Sequence, residues 1–215
     1  MEERKHRQST LERKRALIDA AVEIVGESGY ASVTHRAVTA RAGLPTTSIG
    51  YFYSSIDELT HEAMRTLVAE EFERLGVLAG VLDDIDATPD QVIAAFAESS
   101  QVRRPDSLAL IEAYLRAARD ESARPVVEEY VAAADRLASA AAGLAGVRAE
   151  PDLVRGVVAL FNGFTMIESA LPDSADVAIK KRALRTLLIG ALFEQGHEDA
   201  ARALRDRTDP PGPVG

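Results

Sequence analysis

Thr46, Thr47, Ser48 and Tyr51 bring four hydroxyls together just after the turn-forming run Ala42-Gly43-Leu44-Pro45. Short hydroxyls at the start of a helix can approach base edges or phosphate oxygens, and the helix dipole there favours an anion. Two other groupings have a chemical spacing: Glu58-Leu-Thr-His61 and Glu194-Gln-Gly-His197 are both Glu-x-x-His. Helical di-iron sites use that spacing together with two further glutamates. Chance accounts for both here, since the first lies in the cap region of a helix and the second straddles a helix-ending glycine. Without cysteine, a thiol nucleophile, a disulfide framework, cysteine-ligated zinc and iron–sulfur clusters are excluded. No phosphate loop or Gly-rich dinucleotide fingerprint is present. We therefore expect no catalytic residue, no metal site, no cofactor and no enzyme.

The elements that must position the hydroxyls read as helices throughout. Ser9-Thr-Leu-Glu12 fits a capping box, and Leu17, Ala21, Ile24 and Val25 recur at helical spacing until Gly29, which predicts a first helix over about 10–28. Thr34 is a good N-cap for a short helix ending at Ala42-Gly43, and Pro45-Thr46 opens another to about 52. Ser54-Ser-Ile-Asp-Glu58 offers overlapping capping boxes for a long fourth helix to about 82. Thr88-Pro89, Pro105, Pro125 and Pro151 then punctuate helices near 89–101, 106–120, 124–143 and 151–171, with a last one over about 174–195. No segment alternates with period two, so the expected fold class is all-α with about nine helices. The division expected is a head over 1–55, a helical body over 56–207, and a loose Pro/Gly-rich tail over 208–215.

Composition sets the class. The chain has 215 residues, 47% hydrophobic and 27% charged, enough to bury a sizeable core. The apolar charge-free stretches Leu137 to Val147 and Gly156 to Ile167 fall short of the roughly 18 to 20 apolar residues that span a bilayer. We expect no membrane partner and, with no apolar leader after the charged N-terminus, a cytoplasmic protein. Net charge is −9, but residues 1–60 carry eight Lys/Arg and eight Asp/Glu, so the acid excess lies wholly in the remainder. Between Ser28 and Ile56 there are two arginines and no acid. The head is locally basic through Arg4, Lys5, Arg7, Arg13, Lys14 and Arg15.

Two short helices joined by Ala42-Gly43-Leu44-Pro45 have the dimensions of a helix-turn-helix. Ala37, Val38, Leu44 and Ile49 would pin the second across the first. By shape alone, an αα-hairpin inside a helical core fits equally well. The combination of a basic amphipathic first helix, Gly29-Tyr30, Val33-Thr34, Ala42-Gly43-Leu44, Ile49-x-Tyr-Phe-Tyr53 and Ser55-x-x-Glu58-Leu59 resembles the N-terminal DNA-binding domain of TetR-type transcriptional regulators. The resemblance covers about residues 10–60. It implies a homodimeric, ligand-responsive regulator, most often a repressor, that binds a palindromic double-stranded operator. It also implies DNA contacts from Thr34, His35 and Arg36 on the second helix, from Thr46, Thr47, Ser48 and Tyr51 on the third, and from Ser55 at the start of the fourth. Two positions depart from the family's usual pattern: Gly50, where an aromatic residue is common, and Ile56, where a lysine is common. The competing classes are a helical di-metal enzyme and a helical adaptor that binds only proteins.

The rest of the chain has the family's C-terminal length and helix order, which implies a helical domain for ligand binding and dimerisation. Apolar stripes at Val154 and Val158 on the eighth helix, and at Leu184, Leu187, Leu188 and Ala191 on the ninth, are the candidates for the dimer seam. Met64, Leu67, Phe96, Leu110, Tyr114, Phe161 and Met166 are candidate walls of an effector chamber. Glu112, Asn162 and Thr165 are its candidate polar groups, since polar side chains in apolar surroundings need a partner or a ligand. The effector expected is a mostly apolar organic molecule with a polar or cationic group.

Overall fold

Local capping chemistry sets most of the helix boundaries. In the computed structural model, which describes residues 2–100 and 105–206, with side chains from Thr10 onward, Thr34 Oγ1 accepts from the Ala37 amide at 3.2 Å and starts a helix. Gly43, at φ 66° and ψ 30°, ends it, and the Leu44 amide reaches back to the Thr39 carbonyl at 2.9 Å. That closure satisfies the carbonyls the last turn would otherwise leave free. Thr88 and Gln91 form a reciprocal capping box with Pro89 in the first turn.

The described residues form ten α-helices and no strand: α1 (Glu2–Ser28), α2 (His35–Ala42), α3 (Ser48–Phe52), α4 (Ile56–Asp84), α5 (Pro89–Ser99), α6 (Asp106–Ala117), α7 (Arg124–Leu144), α8 (Pro151–Ala170), α9 (Val177–Glu194) and α10 (Glu198–Asp206). The all-α class stands. Three details differ from what residue spacing predicts. Helix α1 begins at Glu2 and runs through the Ser9–Glu12 capping box, because nothing between 2 and 9 disfavours helix. Helix α3 begins at Ser48, since Thr46 and Thr47 form a turn in which the Ser48 amide bonds Pro45 O at 2.9 Å. Helix α10 is additional to the nine expected: its only buried side chains are Ala201 and Leu204, too few to mark a period. The side chains of Arg4, Lys5 and Arg7, and the expected tail, lie outside the described residues.

Packing divides the chain into two compact units. The first gathers the chain up to Glu71 with the segment ending at Val131. Its core joins Leu17, Ala21 and Val25 of α1 to Val38, Ile49, Leu59, Met64, Ala109 and Ala113. Leu17, Ile49 and Leu59 are fully buried, each contributing about 1.5–3 kcal/mol of transfer free energy. Ala37 and Leu44 pack on the same cluster, so the helix-turn-helix is pinned as its apolar spacing predicts. Helix α1 packs most extensively on α6 and α2.

The second unit gathers Phe72 onward and, later in the chain, Ala132 onward. Leu82, Val92 and Phe96 form its cluster with Leu78, Leu137, Leu144 and Phe161. Helix α9 packs against α5, α8 and α10. Between α8 and α9 lies a buried ion pair: Lys180 Nζ stands 2.7 Å from Glu168 Oε2, the two side chains being 2% and 3% exposed. Lys180 also donates to Ser100 O at 3.1 Å, and Arg74 donates to Ser99 O at 3.1 Å, so two cations meet the C-terminal carbonyls of α5. Arg185–Asp90 at 2.8 Å and Lys181–Glu98 at 2.7 Å complete the α5–α9 contact. By length and composition α8 is apolar enough to cross a membrane, although Arg155 and Glu168 lie within it. Its exposed apolar side chains include Met166 at 59% and Ile167 at 51%.

Candidate nucleic-acid interface

Burying Val38 and Ile49 turns the opposite sides of α2 and α3 outward. Thr34, His35, Arg36, Thr46 and Thr47 are exposed, Ser48 and Ser55 are half-buried, and Tyr51 stands 74% exposed with its ring edge-on to Phe52 at 4.8 Å. All eight residues belong to the first unit. Thr39 is buried instead, its hydroxyl donating to His35 O at 2.7 Å. Tyr53 anchors the end of α3, with Lys14 Nζ 5.5 Å from its ring centroid. Burial, and then the Glu62 and Glu58 carboxylates, push its phenol well above the usual tyrosine range.

The start of α4 is closed by its own side chains. Ser54 donates to Glu58 Oε2 from both its amide (2.7 Å) and its hydroxyl (2.6 Å), and these bonds hold the Glu58 carboxyl below its ordinary value. The Ser55 hydroxyl accepts from the Glu58 amide at 3.1 Å, which leaves its proton free to donate outward. Glu58 is thereby committed to capping. Among the described residues no three His, Cys, Asp or Glu side chains converge on a metal-sized site.

Charges in the head are less available than their number suggests. Arg41 pairs with Glu23 at 2.8 Å and Glu27 at 2.7 Å, Lys14 pairs with Glu62 at 2.7 Å, and Arg15 pairs with Asp19 and Glu70. Arg13 and Arg36 make no ion pair among the described residues. Of these two, Arg36 lies on α2 beside the hydroxyls.

Helix α6 supports this head, a role that no motif or spacing in the chain signals. Gly26 of α1 lies so close to the α6 start that a Cβ there would stand 2.4 Å from Pro105 O. Arg116 stacks on the Tyr30 ring at 4.7 Å and reaches Asp57 at 3.5 Å and Asp120 at 3.6 Å. Glu112 faces Gly29, whose added Cβ would be 3.6 Å from Oε2. A cleft of 410 Å³ opens here, with Ser28, Tyr30, Glu112, Arg116 and Arg119 among its lining. Burial pushes the Tyr30 hydroxyl up to about 12, Arg116 opposing and Glu112 adding to the rise. Neutral Tyr30 therefore favours the fold fully below about pH 10, and that contribution is lost as pH rises toward 12. In Tyr30→Phe the drop in urea midpoint between pH 9 and 11 should be smaller than in the wild type; an equal drop would show that Tyr30 does not carry the linkage.

The ligand candidates divide between the two units. Met64 and Leu67 belong to the core around Leu17, Leu110 is half-buried, and Tyr114 meets the Tyr130 ring edge-on at 5.9 Å, all in the first unit with Glu112. Phe96 and Phe161 share the apolar cluster of the second unit, where Asn162 and Thr165 are half-buried and Met166 is exposed. Of the seam candidates, Val154, Val158, Leu184, Leu188 and Ala191 are buried by the chain itself and Leu187 is half-buried. The apolar side chains this helix pair leaves exposed are instead Met166, Ile167, Ile179 and Phe193.

Comparison with known proteins covers both parts of the chain. Residues 17–63 match the model of bacterial regulatory proteins of the tetR family, and residues 83–194 match that of the tetracyclin repressor-like C-terminal domain. No curated protein sequence matches. Among solved structures, a member of the TetR family from Streptomyces coelicolor A3 is 28% identical at a TM-score of 0.66, over 81% of this chain and 97% of that one. The multidrug binding protein EbrR complexed with ethidium is 29% identical at 0.62, over 81% and 97%. A transcriptional regulator from Saccharomonospora viridis in complex with choline shares the fold at 15% identity and a TM-score of 0.63, over 81% and 94%.

Proposed function

The chain belongs to the TetR family of bacterial regulatory proteins, and from that premise we propose that it lays α3 into the major groove of an operator as one half of a homodimer. A small-molecule effector then releases it and relieves repression. The observation that carries this reading is the exposure of Thr46 and Thr47, in the turn that leads into α3, and of Tyr51 on α3 itself, whose other side is locked by the fully buried Ile49. Arg36, Thr34 and Ser55 would meet phosphates, and Ser48 and His35 would complete the contact. Duplication supplies what one short helix lacks, because two half-sites a helical turn apart specify more bases than one.

The second copy would cover Met166, Ile167, Ile179 and Phe193, apolar side chains that water otherwise surrounds. The effector reading draws on the relatives that hold ethidium or choline, both cations. The corresponding site here would involve the Phe96–Phe161 cluster. Asp135 of α7, which residue spacing does not single out, is a further candidate: its Oδ2 meets Arg155 at 2.8 Å while its buried Oδ1 accepts no hydrogen bond from the described residues. Helix α4 would transmit the change, because residues 56–71 lie in the first unit and residues 72–84 in the second. Loss of the one-turn spacing between the two recognition helices lowers DNA affinity without any contact to the ligand.

The test begins with selection of bound sequences from a random duplex pool by the full-length protein. Thr47→Ala and Tyr51→Ala should each weaken binding to the enriched site by about 1–3 kcal/mol with the circular dichroism and dimer mass unchanged. Arg36→Ala should weaken all sequences alike and reduce the salt slope by about 1 per subunit. Failure to enrich any site, or a protein that stays a single subunit at working concentration, would refute the reading.

A further inference from the structure

We propose that Gly50 is a specificity determinant of the DNA contact, its missing side chain letting α3 seat close enough for threonine hydroxyls and methyls to read base edges. The inference rests on α3 being the recognition helix.

Among the described residues nothing calls for glycine at this position. Gly50 is the third of five residues in α3 and is exposed; it is absent from the positive-φ glycines, and a Cβ built on it meets no atom within 4 Å. Gly43 differs, with φ 66°, and so does Gly26, whose Cβ would collide with Pro105. Glycine in a helix interior is less favourable than alanine, so the fold alone would be better served by a side chain. Position 50 lies within a few residues of the turn at Thr46 and Thr47 and next to Tyr51, and all four are exposed.

The reach of the neighbouring side chains gives the bare position a purpose. From residue 42 to residue 60 the chain has no Arg, Lys, Asn or Gln, the residues that read bases from a distance through bidentate bonds. A threonine hydroxyl ends two bonds from the backbone. It meets a base edge only if the helix itself comes close, and a side chain between Thr46, Thr47 and Tyr51 would hold the helix away. The base features suited to such a surface are thymine methyl groups, against the threonine methyls and the bare Gly50 backbone.

The experiment uses the full-length dimer and the sequence enriched by the wild type from a random duplex pool. Gly50→Ala and Gly50→Ser should fold at least as stably as the wild type, the alanine variant melting roughly 2 °C higher. Both should lose affinity for the enriched site on the order of tenfold while binding to random duplex at low salt is unchanged. Replacing thymines of the enriched half-site by deoxyuracil should weaken the wild type more than either variant. Equal affinity and equal sequence preference in the variants would overturn the inference, as would a lower melting temperature, which would make Gly50 a requirement of the fold. A wild type that enriches no sequence refutes the recognition-helix reading itself, and this inference falls with it.

Discussion

Lys180→Met is expected to destabilise the second compact unit by about 3–5 kcal/mol, lowering its melting temperature by about 10 °C. The substitution keeps the length and apolar stem of the side chain but removes the ammonium that stands 2.7 Å from Glu168. Glu168 is then left as a buried carboxylate; its oxygens accept no hydrogen bond from any other described group. A single buried charge without a partner costs far more than a matched pair contributes, which is why the loss is large even though the pair itself is no strong source of stability. The double substitution Lys180→Met/Glu168→Leu should therefore recover most of what the single one loses. Thermal unfolding of the three variants beside the wild type decides the matter. A single variant as stable as the wild type would mean that water or rearrangement solvates Glu168. The Ser100 carbonyl at the end of α5 also loses its donor, so incomplete recovery in the double variant would measure that bond.

The second large effect concerns the support of the head. Gly26→Ala places a methyl 2.4 Å from Pro105 O and 2.5 Å from Pro105 Cβ. Neither atom belongs to a flexible side-chain end, so α1 and the start of α6 must separate. Forcing a group into such a contact costs about 1–3 kcal/mol, and Gly26→Leu should cost more. Because Arg116 and Glu112 of α6 also stand against Tyr30, Gly29 and Asp57, the displacement would reach the residues that orient α2 and α4. Operator affinity of the folded Gly26→Ala dimer should fall, although the substitution is remote from α3. Unaltered stability together with unaltered affinity would mean that α6 does not hold the head in its binding geometry.

Features closed within a few residues were legible in the sequence. Thr34 starts α2 through an amide three residues on, Gly43 ends it through a left-handed backbone, and Thr88 with Gln91 starts α5. Each is a hydrogen-bond closure whose partners are neighbours in the chain, so residue type and spacing suffice to find it. The inward pins Val38 and Ile49 followed from period, and with them the outward side that carries Thr46, Thr47 and Tyr51. Apolar period does not say which of a helix's two apolar sides its own chain covers. On α8 and α9 the most regular stripe, Val154, Val158, Leu184 and Leu188, is the one the chain buries itself. The less regular side, at Met166, Ile167, Ile179 and Phe193, stays exposed.

The amino-acid sequence by itself determined the helix-turn-helix, its exposed hydroxyls, the all-α class and the family, because these depend on local closure and periodicity. Only the tertiary structure decided that Arg15, Lys14 and Arg41 are taken up by acids 4 to 55 residues away, that Glu112 faces Gly29, and that Lys180 finds Glu168. Such pairings depend on which helices meet and in what rotation. Many helices could have answered each charge, and burial energy over whole faces, rather than the charge itself, selects the one that does.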